Sequence, residues 1–454
     1  MKPTYRSPLK EPLMNKLKKR CLQPVILALS LMAVCGSASA ADNIVEKPAV
    51  VAIHAKYLHS LFLMTDGSLW GVGSYLSGAM GDGTALSRPT PWIVMNDVSA
   101  ASAGKLHSLF LKKDGSVWAV GWVGSGALGD GFSVDLEKKP AILYEQKKGE
   151  GILRVTPVRV MEKAAAISAG WGHSLFLKQD GSIWAAGENE DGRLGDGTTS
   201  DKSSPVPIMK NVAAISAGFG HSLFLKKDGT AWATGRNDEG QLGDGTTTNR
   251  IRPVQVMTDV AAISAGFEHS LFLKKDGTVW ASGENEDGRL GDGTRMNQRK
   301  PVPVLTKVAA ISAGDLHSLF LKNDGSVWGT GSNRFGELGD ALWDLYPADR
   351  QVISPVQIMA GVSSVSAGDK YSLFLMRDGS VLASGQNMFN NLGFDGRSTS
   401  KPTRILFRRR TPSEIEAWKK EWDESLRSFD PEKDLPILTK PPRAVQTSNP
   451  NQVP

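Results

Sequence analysis

Six histidine–serine pairs are the first residues of this 454-residue chain that could do chemistry. The histidines of these pairs are His59, His107, His173, His221, His269 and His317. A histidine next to a serine suggests a base and a nucleophile, and a set of histidines suggests metal ligands. Successive strand residues point to opposite faces, which excludes a nucleophile–base pair within one His-Ser step. A seventh pair carries Tyr371 instead, so we expect buried side chains hydrogen-bonded to the backbone and no metal site.

Two glycine-rich motifs also invite a chemical interpretation, and the sequence argues against both. The segment GSGALG at 124–129 matches G-x-G-x-x-G, but no strand–helix–strand unit surrounds it. The repeated DGRLGDG loops contain aspartates, but they lack the spacing and the distal glutamate of a calcium-binding loop. Their aspartates and glycines are typical of turns. The sequence therefore predicts no catalytic group, no bound metal and no cofactor.

The histidine phrase is one part of a longer repeat. Between equivalent histidines, and finally to Tyr371, successive copies are 48, 66, 48, 48, 48 and 54 residues apart. Each copy contains four short apolar segments, such as AAISAG, HSLFLKKDG, TVWASG and PVPIM, bounded by Gly, Asp or Pro. Asp-Gly pairs such as Asp228-Gly229 predict hairpins, because glycine supplies the positive φ that such turns need. Seven units of four antiparallel strands predict an all-β fold, a seven-bladed β-propeller.

A tryptophan occupies one register position in the first six units. These residues are Trp70, Trp118, Trp184, Trp232, Trp280 and Trp328. Leu382 takes the same position in the seventh unit. Because large aromatic side chains dominate packing, we expect the tryptophans to fill the gaps between neighbouring blades and not to form a ligand platform.

The period, the AGxxHSLFL phrase and the NxDGRLGDGT loop together resemble the regulator of chromosome condensation repeat family. The resemblance covers about residues 50 to 406, and it implies a seven-bladed propeller whose loops recognise protein partners. That family includes a nuclear exchange factor for a small GTPase, a plant ultraviolet photoreceptor and a secreted bacterial inhibitor of β-lactamases. The photoreceptor's repeated tryptophans are missing here, since Phe219 and Phe267 match Trp171 in the next two units. The resemblance predicts protein binding and leaves the partner open.

The first 40 residues have the composition of a secretory signal peptide. A basic stretch at 14–21 precedes an apolar run at 25–34, and SASA at 37–40 provides a cleavage site after Ala40. We therefore expect an exported protein, located in the periplasm or secreted.

Removal of this leader changes the charge of the chain. The leader contains seven basic residues and one acidic residue, so the 53 basic and 47 acidic residues of the whole chain become 46 and 46. A neutral chain predicts no nucleic-acid partner. Both cysteines, Cys21 and Cys35, leave with the leader, and translation starts at Met1 or Met14.

The residues after the last repeat predict a helix. Thr411 and Glu414 form a capping box, with Pro412 at the first helical position. An apolar stripe follows at helical spacing and consists of Ile415, Trp418, Trp422, Leu426 and Phe429. We expect the stripe to dock on the propeller, because exposed tryptophans promote aggregation, and the alternative is a helix offered to a partner.

These assignments divide the chain into four parts. A signal peptide at 1–40 is followed by the propeller at 41–407, the helix at 408–430 and a disordered Pro-rich tail at 431–454. The seven repeats lie near 50–98, 99–164, 165–212, 213–260, 261–308, 309–362 and 363–407. After cleavage of the leader we expect a monomer without a transmembrane segment.

Sequence variation is concentrated in two connections of each unit. The connections between strands one and two and between strands three and four differ from unit to unit, whereas the KKDG turns hardly change. Because successive strands alternate in direction, both variable connections emerge at the same end of the propeller. Two insertions, within 132–156 and around 341–350, also lie in the second variable connection. A constant scaffold below one diversified end is typical of a binding protein.

Units three to five supply the candidate partner-binding residues of that end. The aromatic candidates are Trp171, Phe219 and Phe267. The acidic candidates are Glu188, Glu190, Asp191, Asp238, Glu239, Glu284, Glu286 and Asp287. Aromatic anchors inside a charged rim are typical of interaction hot spots, and an acidic rim favours a basic partner. In the alternative, the acids only solvate loops and the aromatic residues close the mouth of the central channel.

The sequence thus predicts a non-catalytic, exported propeller that binds a protein partner through its diversified end. Two alternatives follow from the family resemblance: an inhibitor of a secreted enzyme, and a guanine-nucleotide exchange factor for a small GTPase. A further alternative, an exported enzyme, would be indicated by a metal or a pair of acids in the central channel.

Overall fold

The computed structural model describes residues 48–73, 78–84, 87–133, 153–340, 351–394, 396, 398–408, 411, 413–414, 416–417 and 420. The predicted signal peptide, the apolar stripe of the tail helix, the Pro-rich tail and most of both insertions lie outside these residues. In the part of the chain that is described, no helix is long and apolar enough to cross a membrane.

Seven antiparallel sheets of four consecutive strands make up the described fold, which confirms the predicted propeller. Blades 1 and 2 contain β1 (Val50–Lys56), β2 (His59–Met64), β3 (Leu69–Gly73), β4 (Arg88–Met95), β5 (Val98–Ala103), β6 (His107–Lys112), β7 (Val117–Trp122) and β8 (Leu153–Met161). Blades 3 and 4 contain β9 (Ala164–Ala169), β10 (His173–Lys178), β11 (Ile183–Gly187), β12 (Lys202–Met209), β13 (Val212–Ala217), β14 (His221–Lys226), β15 (Ala231–Gly235) and β16 (Arg250–Met257).

The remaining three blades follow the same order along the chain. Blade 5 contains β17 (Val260–Ala265), β18 (His269–Lys274), β19 (Val279–Gly283) and β20 (Gln298–Leu305). Blades 6 and 7 contain β21 (Val308–Ala313), β22 (His317–Lys322), β23 (Val327–Ser332), β24 (Gln351–Met359), β25 (Val362–Ala367), β26 (Tyr371–Met376), β27 (Val381–Gly385) and β28 (Thr399–Arg404). A short 3-10 turn, Gly124–Gly126, lies in the connection between β7 and β8.

The second strand of each blade is apolar on both faces because both faces are covered. In β14, His221 to Leu225 are all buried, and Phe224 pairs with Trp232 on the neighbouring strand. The hairpin after β14 turns at Gly229, whose φ is +86°, as the Asp-Gly pairs predict.

Apolar clusters join each blade to the next. Leu223 and Ala233 of blade 4, for example, share a cluster with Val260 and Phe272 of blade 5. The tryptophans lie at these interblade clusters, where Trp232 packs against the cluster shared by blades 3 and 4. Its indole Nε1 donates to Thr230 Oγ1 at 2.9 Å, so the polar end of the ring is bound within its own hairpin.

The ring closes through side chains, since no strand crosses from one blade to another. Val50 and Ile53 of blade 1 share a cluster with Leu373 of blade 7 and with Ile405, which follows β28. Through this contact, the described part of the N-terminal segment lies beside the last unit. Phe407 extends the contact, because its ring centroid lies 5.1 Å from that of Phe62.

The predicted capping box is present at the start of the tail helix. The amide of Thr411 donates to Glu414 Oε2 at 2.8 Å, and the amide of Glu414 donates to Thr411 Oγ1 at 3.3 Å. Residues 413–414, 416–417 and 420 are helical. Whether the stripe docks on the propeller is outside the described residues.

Candidate functional site

A ring of seven equivalent residues surrounds the mouth of the central channel at the diversified end. We call it the mouth ring, and it consists of Tyr57, Lys105, Trp171, Phe219, Phe267, Asp315 and Asp369. Backbone hydrogen bonds tie the ring from blade to blade: the amide of Trp171 donates to Gly218 O at 3.1 Å, and the amide of Phe219 donates to Gly266 O at 3.2 Å. The repeat therefore fixes the backbone of the ring while its side chains vary.

The aromatic members of the mouth ring pack against one another. Phe219 and Phe267 are stacked, with centroids 4.1 Å apart, and Trp171 meets Phe219 edge to face at 4.5 Å. Tyr57 meets Trp171 in the same way at 5.0 Å. Phe219 keeps only 9% of its surface exposed, so it supports its neighbours and cannot protrude as a separate anchor. Trp171 and Phe267 are half-buried and so remain partly accessible.

Two buried arginines organise the acidic residues around this aromatic cluster. Arg193 contacts Glu188 at 2.8 Å and Asp191 at 3.0 Å. Arg289 contacts Glu284 at 2.7 Å and Asp287 at 2.8 Å. Neither arginine is predicted as a functional residue from the sequence, because both lie in the G-x-L-G motif, which by itself indicates only a turn. A signal was available, since the residue before Leu-Gly changes from unit to unit.

The remaining acidic candidates are more exposed. Asp238 pairs with Arg236 at 2.9 Å, and Glu239 accepts a hydrogen bond from Asn297. The side chain of Glu190 is 82% exposed, and Glu286 is also exposed. Segments 188–193, 236–241 and 284–289, together with Glu268, contain nine acidic residues and three arginines. The ion pairs therefore neutralise part of the charge, and an excess of negative charge remains beside the aromatic cluster.

Burial raises the pKa of two of these carboxyl groups. The pKa of Glu284 rises to about 7, because desolvation and the neighbouring Glu268 outweigh the attraction of Arg289. Desolvation also raises the pKa of Glu188, against the attraction of Arg193. The negative charge of this face therefore changes near neutral pH.

The histidines of the repeat hold neighbouring blades together. His221 Nε2 lies 3.0 Å from Ser270 Oγ of the next blade, and that hydroxyl donates to Gln241 O at 2.6 Å. Because the hydroxyl proton is used there, the imidazole must be the donor through Nε2. The serine partners of the six histidines, in chain order, are Ser108, Ser174, Ser222, Ser270, Ser318 and Ser372.

This arrangement corrects the expectation of a backbone partner, which is wrong for all six histidines. A histidine and a serine do meet, but they come from different blades. The alternation of side chains along one strand therefore does not keep them apart. In the pair of His221 and Ser270, the serine hydroxyl donates its proton to the carbonyl of Gln241, and burial lowers the pKa of His221 to about 3. Neither group can act as a base and nucleophile pair in this arrangement.

A pair of acids is present at the channel mouth, which is the observation that would indicate an enzyme. The carboxyl groups of Asp315 and Asp369 are hydrogen-bonded to each other, and burial raises the pKa of both. Among the lysines, the buried Lys56 exerts the strongest attraction on the carboxylate of Asp315. Within the described residues, no group of three or more His, Cys, Asp or Glu side chains could hold a metal ion. The pair can share a proton between its two carboxyl groups.

The aspartates of the glycine-rich loops form turns, as the sequence predicts. Asp244 Oδ1 accepts hydrogen bonds from the amide of Thr246 at 2.9 Å and from its hydroxyl at 2.7 Å. Its other oxygen accepts from Arg250 Nε at 2.7 Å. Both carboxylate oxygens are therefore used within the protein.

Comparison with known proteins places this geometry in a family. The family model described as the RCC1-like domain matches residues 34–305 and 210–424. No curated protein matches the sequence. Among solved structures, Prp20p from Saccharomyces cerevisiae is similar with a TM-score of 0.65 and 19% identity, over 83% of this chain and 97% of that one. Human WBSCR16 is similar with a TM-score of 0.63 and 21% identity, over 73% of this chain and 87% of that one.

Proposed function

This chain belongs to the RCC1-like domain family, and we propose that it is an exported, non-catalytic propeller that binds a basic protein partner. The binding surface is the face formed by the mouth ring and the variable loops of blades 3 to 5. Prp20p is described by its binding to Gsp1p and histones. That relative binds proteins, and we extend to this chain only the class of partner.

One observation carries the proposal. The half-buried Trp171 and Phe267 lie beside an excess of carboxylates, on the face where the repeat varies most. Aromatic surface supplies much of the energy at interaction hot spots, and surrounding charge steers a partner of opposite sign. The buried Arg193 and Arg289 support this interpretation, because they hold the acidic loops in fixed positions and reduce the entropy lost on binding.

Export rests on the predicted signal peptide. A leader would separate the protein from cytosolic GTPases, which makes an exchange factor the less favoured alternative. We favour a non-catalytic role over an exported enzyme because the residues that vary between repeats are concentrated in the connections of one end, as is typical of binding proteins. An inhibitor of a secreted enzyme remains within the proposal, because inhibition requires only a protein partner.

Capture of a partner by defined variants tests the proposal. The protein without its leader is immobilised and exposed to the envelope and secretion fractions of its own organism. We expect Phe267→Ala, and separately Glu190→Lys combined with Glu286→Lys, to lose at least tenfold in partner capture. Both acids are exposed, and Glu190 also lies 3.6 Å from Arg193, so the melting temperature of the double variant is measured beside its capture. The matched control is Lys227→Glu combined with Lys275→Glu in the turns of the opposite end, which should capture normally.

Two results would contradict the proposal. One is wild-type capture by both face variants with unchanged melting temperatures, and the other is loss of capture in the control. Acceleration of nucleotide release from a small GTPase by the protein would instead support the exchange-factor alternative.

A further inference from the structure

One buried position under the diversified face carries five different residue types in six gaps between blades. Its backbone carbonyl accepts the serine hydroxyl of the next blade, as Arg193 O does from Ser222 at 2.7 Å and Ala127 O does from Ser174 at 2.6 Å. The residues at this position in blades 2 to 7 are Ala127, Arg193, Gln241, Arg289, Glu337 and Asn391. We call it the gap position, and all six residues are buried.

Arginine at the gap position fills the space between its own blade and the next. Arg193 reaches the backbone carbonyl of Phe219 in blade 4 at 3.5 Å, besides its contact with Glu188. Arg289 reaches the carbonyl of Asp315 in blade 6 at 3.0 Å. Two gaps of this molecule are thus closed by a guanidinium that bonds a mouth-ring carbonyl and a loop carboxylate.

The gap between blades 2 and 3 has no such side chain, because its gap position is Ala127. A cavity of about 40 Å³ remains there, lined by Lys105, Trp122, Ala127, Trp171 and Glu188 among others. By this measure a water needs about 10–15 Å³, so the cavity has room for about three waters. That is close to the size of a guanidinium group. The carbonyl of Trp171 corresponds to the carbonyls that Arg193 and Arg289 bind.

The lining of the cavity also suits a planar cation. Two tryptophans, Trp122 and Trp171, line it, and indole rings are the aromatic groups that attract guanidinium groups most strongly. Glu188 contributes a carboxylate whose other contact is Arg193. We propose that this cavity receives an arginine side chain of the basic protein partner, which takes the place that Arg193 and Arg289 occupy in their own gaps.

Lys105 is the group that opposes this occupant. Its Nζ lies 3.1 Å from the centroid of Trp171, where it covers the ring. Burial lowers the pKa of Lys105 to about 8, so its charge is poorly stabilised in this position. The incoming guanidinium would displace this ammonium group toward solvent, and Lys105 therefore weakens binding. Lys105 would instead strengthen the binding of an anionic occupant, since its ammonium group would then be the main contact.

A small probe tests the inference on the whole protein. N-acetyl-L-arginine methylamide is titrated while the indole N–H signals of Trp122 and Trp171 are followed by NMR. We expect a saturable shift, and a response at least tenfold weaker for the norleucine and glutamate analogues. Ala127→Arg and Ala127→Gln should abolish the response, because they place in this gap the residues that Arg193 and Gln241 provide in others. Gln241→Arg, in the gap between blades 4 and 5, is the matched control and should leave the response unchanged.

Lys105→Met distinguishes the sign of the occupant's charge. We expect several-fold tighter binding of the arginine probe to this variant. Loss of binding in Lys105→Met, an unchanged response in Ala127→Gln, or equal responses to the norleucine analogue would each overturn the inference. The inference rests on the proposed function for the identity of the partner. A protein that binds the arginine probe but captures no partner would contradict the proposed function and leave the cavity's ligand chemistry standing.

Discussion

The phenolic oxygen of Tyr371 lies 2.7 Å from the backbone carbonyl oxygen of His59, and this hydrogen bond joins the last blade to the first. At the other six gaps a histidine bonds the serine of the next blade. Tyrosine is longer than histidine, so its hydroxyl passes Ser60 Oγ, at 3.1 Å, and reaches the backbone. The same hydroxyl accepts the amide of Lys56 at 3.1 Å. One phenol thus fastens the ring where the chain itself is not continuous.

Removal of this hydroxyl should weaken the propeller. Tyr371→Phe leaves the carbonyl of His59 and the amide of Lys56 without their buried partner, so we expect a loss of about 1–3 kcal/mol in the free energy of unfolding. Chemical denaturation measures the effect. Tyr57→Phe is the matched control, because the Tyr57 hydroxyl is buried and has no hydrogen-bond partner among the described residues. Equal losses in the two variants would contradict the closure role of Tyr371.

Acid should destabilise the protein through its interblade histidines. Burial lowers the pKa of His59 to about 4 and those of His107, His221 and His317 to about 3, from 6.5. The folded state keeps these rings neutral while the unfolded chain takes up protons below pH 6.5. Their contribution to stability is therefore complete above pH 6.5 and is lost as the pH falls toward 3, by at most about 1.4 kcal/mol per histidine and pH unit.

A single substitution isolates one of these contributions. Between pH 6 and 5, the free energy of unfolding should depend less steeply on pH in His221→Gln than in the wild type. The difference in slope should correspond to about one proton, or about 1.4 kcal/mol per pH unit. The slope is measured by denaturation at several pH values. An unchanged slope would show that His221 is already protonated in the folded state.

The negative charge of the proposed binding face should increase as the pH rises through neutrality. The pKa of Glu284 is raised to about 7, so the folded state binds its proton where the unfolded chain has released it. The stability that this proton confers is present below pH 4.5 and is lost as the pH rises through 7. Glu284→Gln should flatten that loss, and Glu190→Gln controls for removal of an exposed carboxylate. Capture of a basic partner by the wild type should strengthen between pH 6 and 8, and equal capture at both would argue against an electrostatic role for Glu284.

The two ends of the chain should differ in their importance for stability. Deletion of residues 45–55 removes most of β1, with the buried Val50 and Ile53 that face blade 7. Deletion of 431–454 removes only the segment predicted to be disordered. We expect a large drop in melting temperature for the first deletion and little change for the second. Comparable drops would refute ring closure through the N-terminal strand.

Chelation should leave the protein unchanged. The carboxylate oxygens of Asp244 are engaged by Thr246 and Arg250, so the loop needs no cation to hold its shape. We expect the same melting temperature with and without a chelator. Asp244→Ala should lower the melting temperature by removing the turn, whereas Asp244→Asn should lower it less because an amide oxygen still accepts from Thr246. A marked effect of the chelator would contradict the turn assignment.

The architecture of this protein follows from local features of its sequence. A period near 48 residues, four apolar segments per copy and an Asp-Gly turn in each are local features, and local features decide strands and hairpins. The variable face was also predictable, because alternation of strand direction decides at which end a connection lies. Trp171, Phe219 and Phe267 could be placed at that end for the same reason.

Which of those residues contact one another, and which are buried, depends on how the blades pack. Contacts across a gap join residues from different blades, such as His221 with Ser270 and Arg193 with the carbonyl of Phe219, and the repeat pattern does not show which pairs are in reach. Burial likewise depends on the whole ring: Phe219 is covered by its neighbours, whereas Glu190 lies in solvent. The cavity beside Ala127 is the clearest case. A small residue in a turn motif does not by itself indicate a binding site. The cavity exists because Ala127 leaves open the space between two packed blades that arginines at the equivalent position fill in other gaps.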